Sequence, residues 1–521
     1  MSTPSSSTAS LDSTLVDSPK VGDLSIKDIV VSADDKAAAA AFKDKANEAF
    51  KAANYPEAAK MYSFALEKNP LDPTLYCNRA FTRMRLEEQG YAILDCKKAI
   101  EIDPKYVKAY YRRGLCQLSI FKPHEAVKDF KKALALDPKN ALAKTQLDAT
   151  QKLIRRIEFE KAIDAGEQKS PVDRVLEILA EGGSEVPSDY TGPRLATGDD
   201  GTPKMTQEFI DQMTEYFKNG KLLHRRVVWD IVLAVHELVR AESTLNEAVI
   251  EDGVTCDVIG DVHGQYYDVL HLLSLTGTPS EKHALLFNGD FVDRGSWSME
   301  VILTLFAYKV MAPAHMYGFQ GECEKKHGEL SYKLFTHVFC ALPLATLVSA
   351  TKPPATPVGK AILSPEGRKR FFVVHGGLFS KDGVTLDEIR AIDRHGKQPG
   401  NDGLMCELLW TDPQEENGRG PSKRGVGIAF GPDVTRSWCT LNGVTGILRS
   451  HEVRQDGYQI EHDGLCTTVF SAPNYVDQVG NKGAFVRIDA AGERQYIQFE
   501  AQPHPPMKPM AYASQFSQAM M

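Results

Sequence analysis

Four short apolar runs, each halted by a Gly, Asp or His, give the later part of this chain its plan. Val254, Cys256, Val258 and Ile259 lead into Gly260-Asp261-Val262-His263-Gly264, and Ala284 to Phe287 lead into Gly289-Asp290-Phe291-Val292-Asp293-Arg294-Gly295. Phe371 to Val374 stop at His375-Gly376-Gly377, and Ile447-Leu448-Arg449 stops at Ser450-His451-Glu452. Runs of this length that end in turn residues predict buried strands. Helical periodicity covers 205–249 and recurs between the runs. A strand–helix alternation from Val254 onward therefore predicts an α/β domain.

The earlier part has a different period. Asn69-Pro70, Asp103-Pro104 and Asp137-Pro138 recur every 34 residues. Small residues recur at Ala46, Ala80 and Gly114 and at Ala65, Ala99 and Ala133; aromatics recur at Phe42, Tyr76 and Tyr110. Paired helices that touch through small residues and close on proline at this period are the tetratricopeptide signature. Three repeats and a capping helix near Leu142–Ala165 are expected over 36–165. The polar stretch 1–35 reads as a disordered tail. Residues 166–204, with Gly-Gly-Ser, Thr-Gly-Pro and Gly-Asp-Asp-Gly, read as a linker. The α/β domain takes 205–500, and 501–521 an extended segment with a short amphipathic helix at 510–521. The helix over Ser298–Met311 should return to a strand, yet 312–321 offers no apolar run before a helical stretch at Glu322–Phe339. The fold class is thus all-α followed by α/β.

Composition narrows function mainly by exclusion. The 521 residues carry a formal charge of -8, which disfavours a dedicated nucleic-acid binder, although 97–156 is locally basic and suits an acidic partner. Stretches such as Val301–Met311 are too short to span a bilayer. Nine scattered cysteines without a C-x-x-C pair fit a reducing compartment, hence cytoplasm and nucleus.

Asp261, His263, Asp290, His375 and His451 each follow an apolar strand, where open α/β sheets place their ligands. Carboxylates and imidazoles suit Mn, Fe, Zn or Mg rather than thiolate-loving metals. A shared carboxylate can bridge two such ions for in-line attack on phosphorus.

These motifs, with Ser471-Ala472-Pro473-Asn474-Tyr475, resemble the serine/threonine phosphoprotein phosphatases, and the repeats resemble the branch with an N-terminal tetratricopeptide superhelix. The resemblance implies a metallophosphoesterase α/β sandwich that hydrolyses phosphoserine and phosphothreonine by a hydroxide activated between two divalent ions. By that resemblance Asp261, His263 and Asp290 hold one ion. Asp290, His375 and His451 contribute to the second. Arg294, Arg424 and Tyr475 hold the phosphate, and Asp293 orients a general acid. The resemblance further implies that the repeat domain covers the active site until chaperone or lipid binding releases it. One departure stands out. The family's Arg-Gly-Asn-His-Glu, which supplies an Asn ligand and the acid His, occurs nowhere in this chain. The second metal site should be weakened, and His315 is the one nearby substitute for the acid. A catalytically impaired adaptor is the alternative reading.

In the repeats, Lys43 and Asn47, Asn78, and Lys108 and Arg112 fall on the first helix of successive units. They resemble the clamp with which tetratricopeptide domains hold the C-terminal carboxylate of the chaperone Hsp90.

Overall fold

The computed structural model describes residues 29–164, 169–198, 203–318, 329–354, 362–400 and 402–507. One compact unit ends at Phe159 and a second begins at Glu160.

The described residues of the first unit form only helices and the turns between them. Its pairs are α1 (Ala33–Lys51) with α2 (Tyr55–Lys68), α3 (Pro73–Arg85) with α4 (Gln89–Ile102), and α5 (Val107–Ser119) with α6 (Pro123–Leu136). Helix α7 (Ala141–Asp164) follows as the expected cap. The periodic small residues lie at the contacts: Ala46, Ala65, Ala80, Ala99 and Ala133 are fully buried. At Gly114 a Cβ would stand 2.7 Å from the Phe130 ring, so only glycine admits that helix pair. A further periodic pair escaped the sequence reading. Arg79 grips Asp95 at 3.0 and 2.7 Å, and Arg113, one repeat later, grips Asp129 at 2.8 and 2.7 Å. Each bidentate fork fixes one helix pair and satisfies a buried carboxylate.

The second unit begins earlier than expected. The segment read as linker holds helix α8 (Pro171–Ala180), started by a reciprocal Ser170–Asp173 capping box. The stretch read as helical to 249 contains α9 (Gln207–Lys218) and α10 (Arg225–Ala241) and then a strand, β1 (Leu245–Ile250), which alternates polar and apolar residues at the edge of a sheet. The strands of the two large sheets continue with β2 (Thr255–Ile259), followed by helix α11 (Tyr266–Thr276), then β3 (His283–Phe287), β4 (Met316–Gly318), β5 (Ala345–Ala350), β6 (Arg370–Val374), β7 (Gly446–Arg449), β8 (Tyr458–Glu461), β9 (Cys466–Val469), β10 (Gly483–Ile488) and β11 (Arg494–Phe499). One sheet has the order β8-β9-β7-β6-β5-β1, the other β11-β10-β2-β3-β4.

The two sheets pack face to face. Cys256, Val258, Leu286, Val348, Phe371, Val373, Leu448 and Val486 form the layer between them. Their strand neighbours face outward onto helices: Ile259, Leu285 and Phe287 on one side, Leu347, Phe372, Val374 and Ile447 on the other. Burial on both faces is why these strands read as continuous apolar runs. Where no apolar run was expected after α12 (Ser298–Met311), β4 pairs in parallel with β3, Leu285 opposite Met316 and Phe287 opposite Gly318. Three residues suffice there because β4 is an edge strand. The sheet therefore keeps its return strand rather than losing a central one. The helical stretch expected from Glu322 is described from Glu329 onward as α13 (Glu329–Phe339), and the expected tail helix lies outside the described residues. No described helix is long and apolar enough to cross a membrane.

Candidate metal centre

The carboxyl ends of β2 and β3 in one sheet meet those of β6 and β7 in the other. Asp261, His263 and Asp290 offer ligand atoms within 4.8 Å of one another, as do Asp290, His375 and His451, so Asp290 belongs to both groups. His263 Nε2 stands 3.5 Å from Asp290 and 3.8 Å from Asp261; His375 Nε2 stands 3.7 Å from the other Asp290 oxygen. Backbone conformation forces the convergence. His263, Asp290 and His451 have φ of 42°, 38° and 71°, a left-handed region that non-glycine residues enter at a cost. Gly289, at φ 104°, lets His375 approach: a Cβ there would fall 2.5 Å from His375 Nδ1.

The donor set fits divalent cations. Asp261 Oδ1, His263 Nδ1 and His451 Nε2 are buried without a hydrogen-bond partner. Orphaned ligand-type atoms at this density are costly unless a cation satisfies them. Burial, and next the Asp290 carboxylate, push the Asp261 carboxyl well above its usual range, against the opposing pull of Arg449 and Arg424. Burial lowers His263, His375 and His451, keeping the imidazoles in the neutral form that binds metal. His375 Nδ1 donates to the Asn288 carbonyl at 2.9 Å, leaving Nε2 as the acceptor toward His451 Nδ1 at 2.9 Å.

Several residues that hold this arrangement are not among the site residues expected from the sequence. Asn288 Nδ2 donates to the Val374 carbonyl at 2.8 Å and to Ser450 Oγ at 2.9 Å, stitching β3 to both ligand-bearing ends opposite. Arg449, fully buried, donates to the Gly376 carbonyl at 2.7 Å and to Glu452 and Asp412 at 2.8 Å each. A charged residue inside an apolar strand run was the available hint, since a buried guanidinium needs partners. Burial would raise Asp412, but Arg424, Arg449 and Lys423 outweigh it and hold the carboxyl far below the usual range.

The other expected residues rim the centre. Arg424 donates to Asp412 at 2.8 Å and to the His451 carbonyl. The Tyr475 ring lies 5.0 Å from that of His263. Arg294 and Asp293 pair at 3.4 Å at a more exposed turn. His315 is elsewhere: its carbonyl accepts from Leu285 N, at the start of β3 and β4, whereas Asp290 follows their far ends. That separation is about 15 Å at 3.3 Å per residue, so His315 cannot serve the centre as an acid.

In the repeat unit, Asn47 accepts from the Tyr62 phenol at 2.6 Å, and Asn78 and Arg112 lie close enough to lower the Tyr62 pKa against the rise that burial imposes. Lys43 donates to Thr74 at 2.6 Å. Lys108 is exposed, while Arg112 also stacks 4.5 Å over Phe81.

Residues 255–455 match the calcineurin-like phosphoesterase family, 107–140 the tetratricopeptide repeat, and 147–247 the PPP5 tetratricopeptide repeat region. The chain is 46% identical to serine/threonine-protein phosphatase T of Aspergillus oryzae, over 94% of this chain and all of that one. The chain belongs to the serine/threonine-protein phosphatase 5/T family. Human serine/threonine-protein phosphatase 5 is 41% identical over 92% of this chain and 94% of its own. A solved Saccharomyces cerevisiae protein serine/threonine phosphatase, described as similar to human PP5, superposes with a TM-score of 0.53 at 38% identity, covering 59% of this chain and all of that one. The chain is accordingly a tetratricopeptide-bearing, metal-dependent serine/threonine phosphatase by family.

Proposed function

We propose that this chain hydrolyses phosphoserine and phosphothreonine in proteins at the Asp261–His451 centre, with the repeat groove as its address for an acidic C-terminus. The observation that supports the site is the sharing of Asp290 by two ligand groups, within which Asp261 Oδ1, His263 Nδ1 and His451 Nε2 are buried without a hydrogen-bond partner. Asp261, His263 and Asp290 hold one cation and Asp290, His375 and His451 the other; Mn, Fe, Zn and Mg all suit this donor set. When bound, such a pair polarises the phosphoryl group and activates water for in-line displacement. The chain's own residues do the rest. Asn288 keeps His375 in the tautomer that presents Nε2. Arg424, aimed by Asp412, and Arg294 hold phosphate oxygens through their guanidinium forks. Tyr475 contributes its hydroxyl to the same pocket.

The family's Gly-Asn-His-Glu is missing and His315 faces the wrong end of the sheet, so among the described residues no further histidine stands where it could protonate the departing alkoxide. Hydrolysis is therefore slower than in a complete family member. In the repeats, Lys43, Asn47, Asn78, Lys108 and Arg112 supply donors for a terminal carboxylate, with an Hsp90-type chaperone C-terminus as the partner. The described cysteines are all free and buried, in keeping with cytoplasm and nucleus. Phosphate release from a phosphoserine peptide by the Mn-loaded full chain tests the reading. Release should fall to background in Asp290→Asn, and wild-type release no greater than that variant's would overturn it.

A further inference from the structure

Two turns that rim the metal centre are tied together by a residue outside the family motifs. His504 lies in the extended segment after β11. Its ring makes a T-shaped contact with Trp297 at 5.0 Å and a tilted one with Tyr267 at 6.5 Å. Its Nε2 meets Asp477 Oδ1 at 3.1 Å, and Nδ1 bonds the Pro505 carbonyl at 3.0 Å. Trp297 ends the turn that carries Asp293 and Arg294, and its own N–H donates to the Gly264 carbonyl at 3.1 Å. Asp477 ends the strained turn that carries Tyr475, with Asn474, Val476 and Asp477 all at positive φ. A second tie runs beside the first: Gln502 N donates to Asp268 at 2.7 Å, and Gln265 bridges Asp268 and the Pro473 carbonyl at 2.8 Å each.

We propose that His504 is a positioning residue for phosphate recognition: by bridging Trp297 and Asp477 it sets the spacing between the Arg294 turn and the Tyr475 turn. The inference rests on the reading of Arg294 and Tyr475 as phosphate-holding residues. Tyr475 is flanked by Asn474 on one side and by Val476 and Asp477 on the other, all in a region that β-branched Val476 enters only under strain, so its turn needs an external restraint. His504 supplies one that depends on charge. The groups facing it are Asp477, Asp268, Tyr267 and the uncharged Trp297. Burial disfavours the imidazolium, but the Pro505 carbonyl, Asp477 and Asp268 outweigh it and raise His504 above its ordinary value. The bridge thus has both donors and the charge below the unfolded imidazole value, and keeps only one neutral donor once pH rises through the raised folded one.

The test is the affinity of the Mn-loaded full chain for inorganic phosphate, measured across pH as the ratio of wild type to variant, so that titration of phosphate itself cancels. The ratio of wild type to His504→Ala should be about fivefold near pH 6 and fall above the raised imidazole value to that of His504→Gln over His504→Ala. His504→Gln, which keeps a donor without the charge, guards against misfolding; its affinity should be intermediate and its ratio to His504→Ala flat with pH. Quenching of tryptophan emission at low pH, absent in both His504→Ala and Trp297→Phe, should report the contact itself. Equal affinity in wild type and His504→Ala, with Arg294→Ala weakened, overturns the proposal and leaves the phosphate site standing. No effect of Arg294→Ala overturns the site reading and the proposal with it.

Discussion

Arg449 and Asp412 meet at 2.8 Å with the guanidinium wholly buried and the carboxyl nearly so. The same carboxyl receives Arg424, so one anion aims two arginines, one structural and one at the rim of the centre. Removing it takes a partner from both cations and leaves Arg449 with Glu452 alone among its carboxylates. Asp412→Ala should destabilise the second unit by about 3–5 kcal/mol, the usual cost of breaking a buried pair, and should weaken phosphate binding through Arg424. The acid limb carries a signature. Asp412 is depressed in the folded state, so its contribution is present above the unfolded carboxyl value and is lost as pH falls through the folded one. Denaturant unfolding between about pH 5 and 2 should show a shallower loss of stability in Asp412→Asn than in wild type. Equal slopes would count against the pairing.

Asp290 is the one carboxylate common to both ligand groups. Asp290→Asn should therefore weaken both bound ions, whereas His451→Ala should weaken only one. Calorimetric titration of the chelator-treated full chain with Mn should resolve a tighter and a weaker event in wild type, because the second group lacks the family's Asn ligand. His451→Ala should retain the tighter event alone. Two events of equal affinity in wild type would show that the second group is complete without that ligand.

With the family's Gly-Asn-His-Glu missing and no replacement acid among the described residues, the rate should depend on the leaving group. The aryloxide of an aryl phosphate leaves without a proton; the serine alkoxide needs one. Loss of a positioned acid typically costs about 10²–10⁴-fold. The Mn-loaded chain should hydrolyse aryl phosphates far faster than phosphoserine peptides, with a steep dependence of rate on leaving-group acidity. His315→Ala should change neither, since His315 stands at the opposite end of β3 and β4. A flat leaving-group series would mean that some other group delivers the proton.

Much of this arrangement is legible in the sequence. Strand-end ligands show in sequence because a doubly buried strand is an unbroken apolar run, and a Gly-Asp or His-Gly after it is a strong contrast. Repeat helices show because their touching positions must be small at a fixed period. What stayed hidden depends on contacts distant in sequence. Asn288 is one polar residue before a turn, and only the opposite sheet reveals its use. Asp412 follows a short helix with no periodic mark, yet it carries Arg449 and Arg424. Helix α8 was missed because glycines and prolines on either side outweighed its Ser170 cap and its amphipathic ten residues. Strand β4 was missed because three residues at a sheet edge need no apolar run, only backbone partners on β3.

The repeat groove offers the cleanest separation of binding from folding. Arg112 packs on Phe81 and bonds Cys77, so its removal would disturb the helix pair as well as any ligand. Lys108 is exposed and its removal costs no buried contact. Lys108→Ala should therefore leave the thermal midpoint unchanged while weakening an acidic peptide with a free C-terminal carboxylate by roughly fivefold at low salt. Fluorescence anisotropy with the free-acid peptide and its C-terminal amide measures this. The amide should bind weakly to both proteins, because the groove's donors would lose the charge they grip, and the Lys108→Ala difference should shrink with added salt. Equal binding of free acid and amide would remove the terminal carboxylate from the recognition, and the groove would then be reading side chains alone.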